Sequence, residues 1–241
     1  SSRKLLWPLH KPKMERYLGL VEEQRSKLQL LLTTATTKTV TQVLRILDES
    51  KFQEVQKWLN VVDPASNYSS ALALREPGTG NWLLKGCEYI DRKEGRGGVL
   101  WLHGIPGCGK SVLSATAIED VKDLCEANHD HALAYFYFTF SDPEKQKSCN
   151  MLLSLISQLP RRLSERGLLG EVVDLYNSTR AIGKSADTKA LKDVLSQIIR
   201  GFRKTFIILD ALDEFPKDAQ GSLLSWVSEL RVNNKTESLS I

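Results

Sequence analysis

The most informative stretch of this sequence is Gly104-Ile105-Pro106-Gly107-Cys108-Gly109-Lys110-Ser111. It matches the pattern G-x-x-x-x-G-K-[ST] at every fixed position. Glycines let the backbone curl so that successive N–H groups point at one anion, and a helix beginning at Lys110 adds the positive end of its dipole. The stretch therefore predicts a phosphate-binding loop (Walker A, or P-loop), whose candidate nucleotide-binding residues are these eight and Val112.

Two side chains of the loop have individual roles in this prediction. Lys110 supplies a positive charge to the β- and γ-phosphates, and the hydroxyl of Ser111 is a hard oxygen ligand of the kind that Mg²⁺ prefers. The local context agrees, because an apolar strand, Val99–His103, precedes the loop and an apolar-periodic helix, Lys110–Asn128, follows it.

A second informative stretch lies about a hundred residues further on, at Phe206–Glu214. A buried apolar strand ends there in Asp210, at the edge where parallel sheets bind ligands. Asp210 is placed like a Walker B aspartate and is a candidate metal ligand with Ser111. Asp213 and Glu214 are candidate catalytic residues that orient or deprotonate the attacking water. For Glu214, a solvated charge at a helix start is an equally weighted alternative.

Strands alternate with helices from residue 98 onward, which indicates an α/β protein with a parallel sheet. The predicted strands are Val99–His103, Ala132–Phe140 and Thr205–Leu209, and the later helices are Cys149–Leu159, Leu191–Phe202 and Ser222–Leu230. The predicted fold is a three-layer P-loop NTPase in residues 98–241. A helical N-terminal region at 1–63 and a connector at 64–97, with one helical stretch near 82–91, precede it.

The N-terminal region is predicted to contain three short amphipathic helices, interrupted by a threonine-rich break at Thr33–Thr39. It also holds the basic excess of the chain, with 11 Lys and Arg against 6 Asp and Glu in residues 1–60. A solvated helix face is preferred over a nucleic-acid partner as the explanation. The apolar stripes of these helices need a surface to bury against, either the NTPase domain or another protein, and contact with another protein is favoured.

Composition excludes several classes of protein. The chain is 41% hydrophobic and 26% charged, as in ordinary globular domains. Its four cysteines form no CxxC pair, so neither a zinc site nor a disulfide framework is indicated. No apolar run approaches the roughly 20 residues of a membrane span. A cytoplasmic protein without membrane or nucleic-acid partners is expected.

Several segments resemble the NACHT family of signal-transduction ATPases (the STAND class), especially fungal NLR-like proteins. The acidic strand end Asp210-Ala211-Leu212-Asp213-Glu214 fits the family pattern of an aspartate, a small residue, any residue, then Asp-Glu. The segments LWLHGIPG before the loop, GTGNWLL at 78–84 and YFYFTFSDPEKQ after the second strand are also similar. The resemblance covers residues 76–241 and is weak across 160–204.

The resemblance implies a switch that binds ATP or GTP with Mg²⁺, hydrolyses it slowly and self-associates through its NTPase domain. It also implies the sheet order 5-1-4-3-2, counting the phosphate-loop strand as the first. The fourth strand is then expected near 238–241, beside the third, so the NTPase domain is expected to be truncated and the chain to be a fragment. Without that strand, Val99–His103 is expected to have no neighbour on that side.

Other functions compete with the switch as explanations of these motifs. A helical interaction fragment whose nucleotide site is idle is the main alternative. A transport ATPase is disfavoured because no LSGGQ-like segment occurs, and a small G protein because no NKxD motif occurs. The sequence leaves the choice between ATP and GTP open.

Overall fold

The computed structural model describes residues 7–60, 62–95, 98–159, 169–182, 186–233 and 239–240. The chain divides into two units, Ser1–Glu54 and Val55–Ile241. The second unit contains every candidate site residue, so its fold determines the geometry of the site.

The first helix, α1, runs without interruption from Trp7 to Leu59. The hydroxyls of Thr33, Thr34 and Thr37 donate hydrogen bonds to main-chain carbonyl oxygens four residues earlier, each at 2.8 Å. Because these bonds satisfy the polar side chains within a helical backbone, the threonine-rich stretch does not end the helix. The prediction of three short helices is therefore wrong. The side chains of its second apolar stripe, at positions 40, 43, 44 and 47, lie outside the described residues.

The last turn of α1 belongs to the second unit. Val55 and Leu59 are each 1% exposed and pack in its main hydrophobic cluster.

We expect Leu59→Ala to lower the free energy of unfolding by about 2–5 kcal/mol, because it leaves a cavity in a packed core. Leu28→Ala is the matched control in the same helix. Leu28 is 60% exposed, so its truncation should change stability by no more than about 0.5 kcal/mol. Urea unfolding measures both, and equal effects would contradict this division of α1.

The sheet is parallel. Strand β1 (His131–Tyr137) pairs with β2 (Lys204–Asp210) along its whole length, with Tyr137 opposite Asp210 at the end. Strand β3 (Leu239–Ser240) pairs with the beginning of β2, so the order is β1-β2-β3. This order confirms that the strand near 238–241 lies beside 204–210, on the side away from 131–137; residues 238 and 241 lie outside the described part.

Helices cover both faces of this sheet. On one face, Ala134, Phe136 and Ile207 pack in the main core, which also includes residues of α6 (Ser148–Gln158) and α8 (Thr188–Arg200). On the other face, α5 (Lys110–Ala127) packs against Phe206 and Ile208. The predicted α/β architecture with a parallel sheet is therefore present, and α5 lies on the face that carries the side chain of Asp210.

The predicted strand Val99–His103 is not a strand in the structure. Residues 99–105 have no regular secondary structure, and only Gly98 forms an isolated bridge. Side chains still alternate between the two sides of this segment. Leu100 and Leu102 pack in a cluster with α5, while Trp101 is 52% exposed. No described strand pairs with this segment, so its backbone groups join no ladder. The predicted strand is therefore wrong, whereas the absence of a neighbouring strand among the described residues agrees with the expectation for this segment.

The other elements differ from the prediction mainly in their bounds. The connector holds helices α2 (Ala65–Ala73), α3 (Asn81–Leu84) and α4 (Cys87–Glu94), and α7 (Leu169–Ile182) was not predicted. Helix α9 (Lys217–Asn233) is longer than expected. Residues 96 and 97, which follow α4 in the sequence, lie outside the described part. No helix in the described ranges combines the length and apolarity needed to cross a membrane.

Candidate functional site

The glycine-rich loop leads directly into α5, as the motif requires. Gly107 and Gly109 have φ angles of 79° and 89°, in the left-handed region that favours glycine. The N–H of Leu113 donates to the carbonyl of Gly109 at 3.0 Å and closes the first turn of the helix. The N–H groups before Leu113 have no carbonyl partner within the helix, so the loop and the helix start form a surface of donors suited to an anion.

The ammonium group of Lys110 lies against the main chain of the loop. Its Nζ donates to the carbonyl oxygens of Gly104 at 3.0 Å and Ile105 at 3.3 Å. A positive charge is therefore held at the concave side of the loop. An arriving phosphate offers stronger, charge-assisted acceptors for the same donors.

The acidic strand end meets α5 through one buried hydrogen bond. The hydroxyl of Ser114 donates to Oδ1 of Asp210 at 2.9 Å, although the two residues are 96 positions apart in the sequence. Asp210 is 6% exposed and Ser114 is 9% exposed. Ser111, the predicted metal ligand, lies one helical turn before Ser114 and is exposed. The carboxylate of Asp210 is therefore fixed against the first two turns of α5.

Ser114 is a site residue that sequence reasoning missed. It lies three positions after Ser111, and residues at that spacing share one face of a helix. That spacing was the available signal. A serine inside an amphipathic helix is common, however, so the signal has little weight without the tertiary contact.

The residues after Asp210 turn sharply. Ala211 has a φ of 56°, a left-handed conformation that is costly for any residue with a Cβ. Asp213 is exposed in a short 3-10 turn, Leu212–Glu214. Oε2 of Glu214 accepts a hydrogen bond from the main-chain N–H of Phe140 at 2.8 Å. Glu214 is therefore half-buried and tied to the segment after β1, rather than a fully solvated charge at a helix start.

A cavity joins the two predicted parts of the site. It has a volume of about 350 Å³ and lies between residues 99–104, α5, β2 and α9. Its lining includes Lys110 and Ser114 from the loop side and Asp210 and Asp213 from the strand side. The structure thus brings the glycine-rich loop and the acidic strand end to one cleft.

The oxygen donors at the start of α5 and at the end of β2 fit a hard divalent cation. Ser111 and Asp210 offer a hydroxyl and a carboxylate oxygen, and Mg²⁺ in phosphate sites commonly takes one or two protein oxygens with the rest from phosphate and water. Within the described ranges, no group of three or more His, Cys, Asp or Glu side chains is placed to hold a metal ion.

No curated protein and no solved structure matches the chain. A family model described as nephrocystin 3, N-terminal, matches residues 78–241, which is more than half of the chain. The matched region includes the glycine-rich loop, the cleft and the acidic strand end. The chain therefore belongs to the nephrocystin 3 N-terminal family.

Proposed function

We propose that this chain binds Mg-ATP or Mg-GTP, and that its second unit has a P-loop NTPase fold. The observation that carries the proposal is the buried bond from Ser114 to Asp210, because it brings the acidic strand end to the helix that begins at the glycine-rich loop. In such enzymes the loop cradles the phosphates, and the serine and the strand-end aspartate address the cation. Here those roles fall to residues 104–112, Ser111 and Asp210.

The proposed role of nucleotide binding is that of a signalling switch of the NACHT type, with slow hydrolysis and self-association through the NTPase domain. Two features support this finer proposal. Strands β1, β2 and β3 correspond to the expected second, third and fourth strands, and their order agrees with the 4-3-2 part of the expected order 5-1-4-3-2 read from the other edge. The left-handed Ala211 gives a physical reason for the small residue in the pattern after Asp210, since a bulkier side chain is costlier there.

Direct titration tests the proposal. A fluorescent ATP or GTP analogue added to the purified chain should bind saturably. Its affinity should be higher in the presence of Mg²⁺ than in the same titration with EDTA. The two analogues compared side by side decide the base preference. A chain that binds neither analogue at millimolar nucleotide would overturn the proposal.

Glu214 is the better candidate for acting on water, because Phe140 holds it in place whereas Asp213 is exposed. We expect Glu214→Gln to lower hydrolysis roughly 100-fold or more, the usual contribution of a general base, with nucleotide affinity nearly unchanged. Glutamine keeps an oxygen that can accept from the N–H of Phe140. Phosphate release under single-turnover conditions measures the effect, with Asp213→Asn as the comparison. Wild-type rates in both variants would exclude both residues.

The second candidate function is an interaction segment whose nucleotide site is idle. It is favoured by α1, where large apolar side chains are more than half exposed: Tyr17, Leu18, Val21, Leu28, Leu30, Leu31 and Leu32. Large apolar side chains grouped on a helix normally pack against another apolar surface. The titration separates the two functions, because an idle site predicts no saturable, Mg²⁺-dependent binding.

A further inference from the structure

The last residue of β1, Tyr137, lies beside the predicted metal ligand. Tyr137 is paired in register with Asp210 on the neighbouring strand. Registered residues of parallel strands project from the same face of the sheet. The side chain of Asp210 is on the α5 face, because it accepts the hydrogen bond of Ser114. Tyr137 is therefore next to Asp210 on the same face, below the helix that begins at the loop.

The hydroxyl of Tyr137 is buried without a hydrogen-bond partner among the described residues. The residue is only 3% exposed. Two other tyrosines close to α5 do have partners there: the hydroxyl of Tyr89 donates to Asp120 at 2.7 Å, and that of Tyr68 donates to Glu119. Buried hydroxyls are nearly always paired, so the exception at Tyr137 requires an explanation.

The protonation state of Tyr137 suits a hydrogen-bond donor. Burial, and then the negative charge of Asp210, raise the pKa of the Tyr137 hydroxyl well above its usual range. A tyrosine hydroxyl with its ordinary pKa of about 10 already keeps its proton at physiological pH, without any such shift. A carboxylate next to it is a natural acceptor for that proton, and the hydroxyl oxygen still has lone pairs for a second bond.

We propose that Tyr137 is a positioning residue of the nucleotide site, whose hydroxyl becomes paired when a hydrated divalent cation binds at Asp210. Its proton is donated to the Asp210 carboxylate, and its oxygen accepts from a water molecule of the cation's hydration shell. This inference rests on the proposed function. It adds a residue that stabilises the Asp210 carboxylate in its cation-binding orientation. Without the cation, the hydroxyl of this residue lacks a hydrogen-bond partner among the described residues.

Tyr137→Phe tests this proposal because it removes only the hydroxyl oxygen. We expect three results in the full chain. The thermal midpoint without ligands should stay equal or rise, because an unpaired buried polar group is gone. Nucleotide affinity in EDTA should not change. The Mg²⁺ concentration that gives half of the maximal tightening should rise roughly 3- to 10-fold, as expected for the loss of one hydrogen bond.

Tyr135→Phe is the matched control. Tyr135 lies two residues earlier on the same face of β1, with its ring 6.2 Å from that of Tyr137, and it should alter neither the Mg²⁺ response nor the affinity in EDTA. A Tyr137→Phe chain with a lower thermal midpoint and a wild-type Mg²⁺ response would overturn the inference, because the hydroxyl would then be purely structural. A wild-type chain without any Mg²⁺-dependent binding would instead overturn the proposed function, and this inference with it.

Discussion

Lys110→Ala is expected to weaken nucleotide binding roughly 10- to 100-fold, which corresponds to about 1.5–3 kcal/mol for hydrogen bonds to a charged group. The ammonium lies at the concave side of the loop, where it donates to the carbonyls of Gly104 and Ile105. Phosphate oxygens are stronger acceptors for the same group. Truncation removes the only side-chain charge of residues 104–112. Titration of a fluorescent nucleotide in the presence of Mg²⁺ measures the loss.

Lys122→Ala is the control for charge. Lys122 lies on the same helix with its side chain 53% exposed, and it pairs with Glu119 at 3.6 Å. Exposed ion pairs contribute little, so this variant should bind nucleotide like the wild type. Circular dichroism should show both variants folded, since Lys110 packs in none of the hydrophobic clusters. If the two variants retain equal, wild-type affinity, the loop does not bind phosphate.

Asp210→Asn is expected to remove most of the tightening that Mg²⁺ produces, while leaving affinity in EDTA close to wild type. Asparagine has nearly the same shape and keeps an oxygen that can accept from Ser114, so the buried contact at 2.9 Å is retained. What is lost is the negative charge that attracts the cation. Mg²⁺ titrations at fixed nucleotide measure the effect.

Two comparisons separate charge from structure at this position. Asp123→Asn makes the same chemical change at an exposed residue of α5 and should leave the Mg²⁺ response intact. Asp210→Ala also removes the acceptor of the buried Ser114 hydroxyl, so it should cost about 1–3 kcal/mol of stability in addition to the metal effect. An unaltered Mg²⁺ response in Asp210→Asn would show that the strand end does not address the cation.

Both halves of the candidate site were predictable because each is a local pattern. The glycines, Lys110 and Ser111 lie within eight residues, and their spacing alone specifies a loop that opens a helix. Asp210 follows an uninterrupted apolar strand, and the carboxyl end of a parallel strand is a ligand-binding edge. The strand bounds predicted for β2 agree with the structure to one residue at each end.

Two secondary-structure predictions were wrong because local sequence did not reveal the hydrogen-bond partners. In one case the partners were present, and in the other the described residues lack them. Threonines at 33, 34 and 37 read as a helix break, but their hydroxyls bond to carbonyls of the preceding turn and the helix continues. Val99–His103 has the alternation of a strand, yet a strand also requires a partner for its backbone groups, and none of the described strands provides one.

The sequence alone thus determined the phosphate-loop pattern, the parallel α/β alternation and the acidic strand end, because each depends on residues within one turn or one strand. The tertiary structure alone decided that Ser114 rather than Ser111 bonds to Asp210 and that Glu214 is held by Phe140. It also decided that Tyr137 lies beside Asp210 with a hydroxyl that has no hydrogen-bond partner among the described residues. These contacts join residues between 73 and 96 positions apart. They depend on the rotational phase of α5 and the register of β1 against β2, and neither is encoded in any local window of sequence.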